Sequence, residues 1–272
     1  STPITVDVFW DTLFRTVVVS EVGTQPRGLW RGPNGATRIA AYAGEGGAQA
    51  RVGSYGPYSQ YLPASYVKRW DGTARLVWKP IPGATAISVW SLDKLDQYTS
   101  HRYLTQPSSW TLTGYQLMPT DGTERFLFNL PQTYQSEARV RAISPASNGV
   151  LYERWFTYSA GWTAASYQED SAGSYWVMWS HPAGQAVLRG YSPSGWLQFE
   201  QIQRGWLNGN IPTSYKRLAD GSSRILWNHS WGSFVETLDR TGRVTGRHWL
   251  PTYLGTGWVA QDYEAPLIPD PR

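Results

Sequence analysis

Four histidines, at positions 101, 181, 229 and 248, are the only imidazoles in this 272-residue chain, and there is no cysteine. His181 and His229 share a register, two residues after Trp179 and Trp227, but no HxH or HExxH spacing occurs. Metal binding through histidine and thiolate chemistry are therefore not expected. Hydrolysis of a glycosidic bond needs two carboxylates at a set separation, for which Asp7, Asp11, Glu169, Asp170 and Glu200 are available. No GxSxG elbow, phosphate-binding loop or dinucleotide fingerprint is present. The expectation is a chain that is not an enzyme and uses no cofactor.

Aromatic residues offer a different chemistry, recognition by ring stacking. Sixteen Trp and 17 Tyr are present. Tyr61, Trp110, Trp162 and Trp258 recur at one place of an internal repeat, with Asn210 in the remaining copy. Their faces could stack on sugar rings in several equivalent shallow pockets whose affinities add through multivalency. The competing use of these rings is core between repeats. Trp70, Trp176, Trp196 and Trp231 depart from the repeat and fall in or beside expected turns, where binding residues concentrate, so they are also candidate ligand contacts.

The repeat that would position these residues is the strongest signal in the chain. A small residue or Asp precedes Tyr66, Tyr115, Tyr167, Tyr215 and Tyr263, spaced by 49, 52, 48 and 48 residues. A short apolar strand ending in an aromatic follows the first four: RLVW at Trp78, RFLF at Phe128, WVMW at Trp179 and RILW at Trp227. RGLW at Trp30 is a fifth. Arg27, Arg75, Arg125 and Arg224 hold the first place of four copies, and Trp176 holds it in the other. Ion pairing or stacking between repeats is the expected role of these arginines. Asp71-Gly72, Asp121-Gly122 and Asp220-Gly221 read as tight turns, with Ala172-Gly173 the weaker equivalent. Two further strands complete each unit.

Four short strands per unit of about 48 residues is the pattern of a β-propeller blade. The prediction is an all-β, five-bladed β-propeller of four-stranded antiparallel blades, closed by the N- and C-terminal strands, in one domain over residues 1–264. The repeats fall at about 13–60, 61–109, 110–161, 162–209 and 210–256, with closing strands at 3–10 and 257–263 and an extended Pro-rich tail at 265–272. A six-bladed ring would have to build its sixth blade from the two end strands alone.

The stretch SYGPYSQYLPASYVKRWDGTARLVW resembles the Trp-rich repeats of bacterial proteins of unknown role, and AGWTAASYQEDSAGSYWVMW and PTSYKRLADGSSRILW echo it. The resemblance spans most of residues 13–263 and bears on fold. In architecture the chain is also similar to the five-bladed tachylectin family, which implies sugar binding as a class of function.

Net charge is +4, spread thinly with no basic run, so nucleic acid is not an expected partner. No apolar run is long enough to span a bilayer. The chain opens on Ser1 rather than Met, which reads as a processed protein. The expected location is secreted, periplasmic or at the cell surface, which the absence of cysteine fits. The leading expectation is a non-catalytic, lectin-like propeller that binds glycans. The alternative is a structural or interaction subunit with a protein partner, motivated by variation at the place held by Trp90: Ala41, Arg141, Arg189 and Glu236 elsewhere.

Overall fold

The computed structural model describes residues 25–42, 49–69, 71–81, 84–205, 209–218, 220–251 and 258–264. Within these described residues, twenty strands form five four-stranded antiparallel sheets. The first sheet takes β1 (Arg27–Arg31), β2 (Thr37–Tyr42) and β3 (Gln49–Tyr55) from the start of the described chain. The second is β4 (Tyr61–Lys68), β5 (Ala74–Pro80), β6 (Ala86–Leu92) and β7 (Tyr98–Thr105). The third is β8 (Thr111–Leu117), β9 (Glu124–Pro131), β10 (Gln135–Ile143) and β11 (Val150–Ser159). The fourth is β12 (Thr163–Glu169), β13 (Tyr175–His181), β14 (Gln185–Tyr191) and β15 (Leu197–Arg204). The fifth is β16 (Ile211–Arg217), β17 (Ser223–His229), β18 (Gly232–Leu238) and β19 (Val244–Trp249). The last strand, β20 (Val259–Glu264), returns to pair with β1 as the innermost strand of the first sheet.

The innermost strands β4, β8, β12, β16 and β20 touch in a closed cycle, so the sheets are the five blades of a propeller. Closure comes from the C-terminal strand inserted inside β1. Residues 3–10, expected to share that role, and the tail at 265–272 lie outside the described residues, as does Trp70.

Apolar layers between blades hold the ring together. Trp30, Trp78, Phe128, Trp179 and Trp227, the aromatics that end the second strands, are all at most 1% exposed. Full burial of each such side chain contributes about 1.5–3 kcal/mol. The Asp-Gly turns form as the sequence implies. Asp71, Asp121 and Asp220 each accept the backbone N–H two residues on, and Gly72, Gly122 and Gly221 take positive φ. In the fourth blade Asp170 does the same for Ala172, with Gly173 at positive φ.

Two of the repeated arginines bridge blades. Arg27 Nε lies 3.2 Å from Asp96 of the second blade, and Arg125 Nε lies 2.9 Å from Glu169 of the fourth. Where Trp176 replaces Arg, the next blade supplies the cation: Arg217 stacks over the Trp176 ring at 4.2 Å. Trp176 is therefore buried, 8% exposed in β13, which corrects its reading as an accessible ligand contact: the blade interface needs a flat ring for Arg217 to cover.

The varied place held by Trp90 is explained by pairing with the outer strand. Arg141 meets Glu153 at 2.7 Å, Arg189 meets Glu200 at 2.6 Å, and in the fifth blade the signs reverse, Glu236 meeting Arg247 at 2.8 Å. Trp90 stands opposite His101.

Candidate functional site

Every inner strand carries a bulge at the same place, one residue before the small-residue-Tyr pair. The extra residue falls at Ala64, Thr113, Ala165, Thr213 and Gln261, and all five line the propeller axis. A bulge breaks the strict alternation of a strand and re-aims one side chain, here toward the axis. These side chains are uncharged at all five positions, and only Gln261 is larger than threonine.

The inner strands run in one direction, so their first residues meet at one end of the ring, called the upper end here. Pairing of Tyr61 with Pro80 places the turns between second and third strands at that end as well. There the axis widens into a mouth of about 300 Å³, lined by the bulge residues and by Lys79, Thr163, Ser180, Pro182, Ile211 and Pro212. This is at the lower limit of the usual range for ligand pockets. Hydroxyls, one amide, one ammonium and apolar surface share the lining, a mixture that suits a polyhydroxylated ligand.

Lys79 is the charged member of the mouth. It is half-buried, and its pKa is lowered, first by burial and then by the charge of Arg31. Neither the Lys79 nor the Arg31 side chain has a hydrogen-bond or ion-pair partner among the described residues.

Below the mouth the axis narrows to about 10 Å³ and becomes ionic. Asp262 Oδ2 accepts from Ser65 Oγ at 2.5 Å and from Tyr66 N at 3.1 Å, while its Oδ1 accepts from Ser214 Oγ at 2.6 Å. Lys216 Nζ lies 3.4 Å from Asp262 and 3.1 Å from Glu264. These carboxylates tie the inner strands of three blades together.

The structure divides the sequence-derived aromatics between the two ends. Tyr61, Trp110, Trp162 and Trp258 start the inner strands at the upper end, but only as partly buried or buried rings. Trp110 is 9% exposed and faces Arg139 at 4.7 Å, Trp258 carries Arg38 at 4.7 Å, and Trp162 packs on Tyr158 and His181. Asn210, in the fifth copy, is fully buried. Trp231, in the turn after β17, belongs to the same end and is 76% exposed. Trp196 is equally open, at 77%, but lies in the turn between β14 and β15 at the opposite, lower end.

Sequence reasoning missed two features. One is Lys79 at the mouth, with the charge of Arg31 acting on it; their signal was their shared place directly after the aromatic that ends each second strand. The other is a surface cluster of Tyr58, Tyr98, His101 and Tyr103 around the half-buried ring of Trp90 on the outer strands of the second blade. Its signal was the run YTSHRY in an outer strand, where Tyr98 and Tyr103 are half exposed.

The candidate carboxylates do not gather at the mouth. Glu169 is at the lower end, where burial would raise its pKa but hydrogen bonds from Tyr152 and Arg125 and the charges of Arg125 and Arg154 hold it below the ordinary value. Asp170 caps a turn and Glu200 pairs with Arg189. Asp7 and Asp11 lie outside the described residues. Among those residues no group of three or more His, Asp or Glu could hold a metal, and no helix is long and apolar enough to cross a membrane.

No protein-family model matches the chain, and no curated protein does, so the tachylectin resemblance finds no match. Solved structures do match in fold. A protein of unknown function from Dyadobacter fermentans DSM 18053 superposes with a TM-score of 0.51 at 10% identity, over 86% of this chain and 85% of that one. An endo-1,4-beta-xylanase from Bacteroides thetaiotaomicron VPI-5482 does so with a TM-score of 0.50 at 12% identity, over 80% and 93%. A protein of unknown function from Bacteroides caccae reaches 0.48 at 13% identity, over 82% and 72%. At these identities the likeness is one of fold. It nevertheless corrects the expectation that this chain is not an enzyme: the same architecture serves a xylanase, so missing motifs of other enzyme folds do not exclude catalysis from a propeller.

Proposed function

We propose that this protein recognises carbohydrate at the upper mouth of its propeller axis and acts outside the cytoplasm. The observation that carries this reading is the coincidence, at one end of the ring, of a 300 Å³ axial pocket lined by hydroxyl and amide groups with a freely exposed Trp231. Sugars present both an apolar ring face and a fringe of hydroxyls, and this end offers a partner for each. The half-buried rings of Tyr61, Trp162 and Trp258 lie at the same end of the ring, at the starts of the inner strands. A fold neighbour that is a xylanase is consistent with carbohydrate as the ligand class.

A glycan array probed with the purified protein tests the reading, together with an assay for newly released reducing sugar on whichever glycans bind. Binding to one sugar family that is abolished by the free sugar and weakened by Trp231→Ala is expected. A silent array, or binding indifferent to Trp231 and Trp162 substitutions, overturns it.

A second reading has its own observation at the opposite end. Trp196, Leu197 and Phe199 are exposed apolar side chains close in sequence on the fourth blade, and Val150 and Leu151 are half exposed on the third. Exposed apolar surface of this kind suits a protein partner. Isolation from the native source with a stoichiometric partner, released by Trp196→Ala, supports it, and a clean monomer argues against it.

A further inference from the structure

We infer that the axial mouth selects an acidic sugar, one bearing a carboxylate, through the ammonium of Lys79 with Arg31 behind it. The sugar half of this inference rests on the function proposed above; the charge half rests on the observations that follow.

The protein pairs its other buried lysines. Lys68 Nζ sits 3.2 Å from Asp96, and Lys216 has both Asp262 and Glu264. Lys79 is half-buried in the wall of a cavity, with no acidic residue in the lining and no partner among the described residues. A cation drawn out of water without a counter-ion is costly, and Arg31 adds repulsion. An anion in the mouth would offset both terms.

Ring assembly does not account for these two cations. The place directly after the second-strand aromatic holds Arg31, Lys79, Asn129, Ser180 and Asn228. Two of these clip neighbouring blades: Asn129 Oδ1 accepts the Ala164 N–H at 3.0 Å, and Asn228 Nδ2 donates to the Ala260 carbonyl at 2.8 Å. Lysine and arginine have no acceptor, so neither can replace Asn129 in its bond. In two adjacent blades this place holds a donor-only cation instead, Lys79 in the wall of the axial mouth and Arg31 close enough for its charge to act on Lys79. A carboxylate offers the acceptors these donors lack, and charge-assisted bonds of this kind are the strong ones.

The test is an array that presents uronate- and sialate-bearing glycans beside their carboxyl-reduced counterparts, read with the wild-type chain, Lys79→Gln and Arg31→Gln. Inorganic sulfate serves as a competitor, and melting curves check that each variant is folded. The expected result is at least tenfold tighter binding of an acidic glycan than of its reduced form, with the preference lost in Lys79→Gln and weakened in Arg31→Gln. Equal binding of the acidic and reduced forms overturns the inference and leaves carbohydrate recognition standing. Sulfate binding as tightly as the acidic glycan overturns a sugar acid as the ligand, and binding to neither form removes both readings. If Lys79→Gln does not fold, Arg31→Gln decides by the same ratio.

Discussion

Ser65 Oγ donates to Asp262 Oδ2 at 2.5 Å, joining positions 197 residues apart and pinning the last strand of the chain to the second blade. Ser214 grips the other oxygen of the same carboxylate from the fifth blade, so one side chain spans the closure on both sides. Asp262 occupies the place of Ser65, Gly114, Ser166 and Ser214 in the other repeats. The ring thus uses its one acidic copy at the strand that closes it.

Asp262→Ala should therefore open the seam. It takes one of two carboxylates from buried Lys216, which keeps Glu264, and leaves two buried serine hydroxyls without their acceptor, for which about 1–3 kcal/mol is expected. Urea denaturation should show the loss, and proteolysis should begin at β20 and β1 rather than in the central blades. Unchanged stability would mean that inter-blade packing alone closes the ring.

Glu264 predicts a pH dependence with a definite sign. Burial raises its pKa, the Lys216 ammonium pulls it back and the Asp262 charge adds to the rise, leaving it at about 7 against an ordinary 4.5. Between those values the native state holds a proton that the unfolded state has released, so this group's contribution to stability falls as pH rises from about 4.5 to about 7, then levels off. Glu264→Gln should flatten that part of the profile in urea midpoints measured at pH 5 and pH 8. An equal slope in the variant and the wild type would assign the dependence elsewhere.

Gly28 is required by the pair it sits beneath. A Cβ there would lie 2.8 Å from both Trp30 Nε1 and Tyr42 OH, which are hydrogen-bonded to each other at 2.7 Å and fully buried. Gly28→Ala should cost about 1–3 kcal/mol by overpacking, visible as a lowered thermal midpoint.

Two tryptophans from one sequence class should behave oppositely. Trp231→Ala, at 76% exposed, should leave the midpoint within the effect of about 0.5 kcal/mol typical of surface substitutions, yet weaken glycan binding. Trp176→Ala removes a buried ring from under Arg217 and should cost about 3–5 kcal/mol. Calorimetry on both variants separates recognition from packing.

By itself the sequence determined the blades. The tyrosine row, the aromatic-ended strands and the Asp-Gly turns are local statements, because strand alternation and positive φ at glycine depend on neighbours a few residues away. The closing role of GWVAQDY was legible for the same reason, as a fifth tyrosine copy lacking its following strand. Tertiary structure alone decided which aromatics are accessible: Trp176 and Trp231 look alike as departures from the repeat, but one meets Arg217 of the next blade and the other meets solvent. It also decided where charges matter. Lys79 and Arg31 lie 48 residues apart in sequence, and only the turn of one blade against the next brings Arg31's charge to bear on Lys79. Burial and pairing are set by side chains a full repeat away, and no local pattern encodes them.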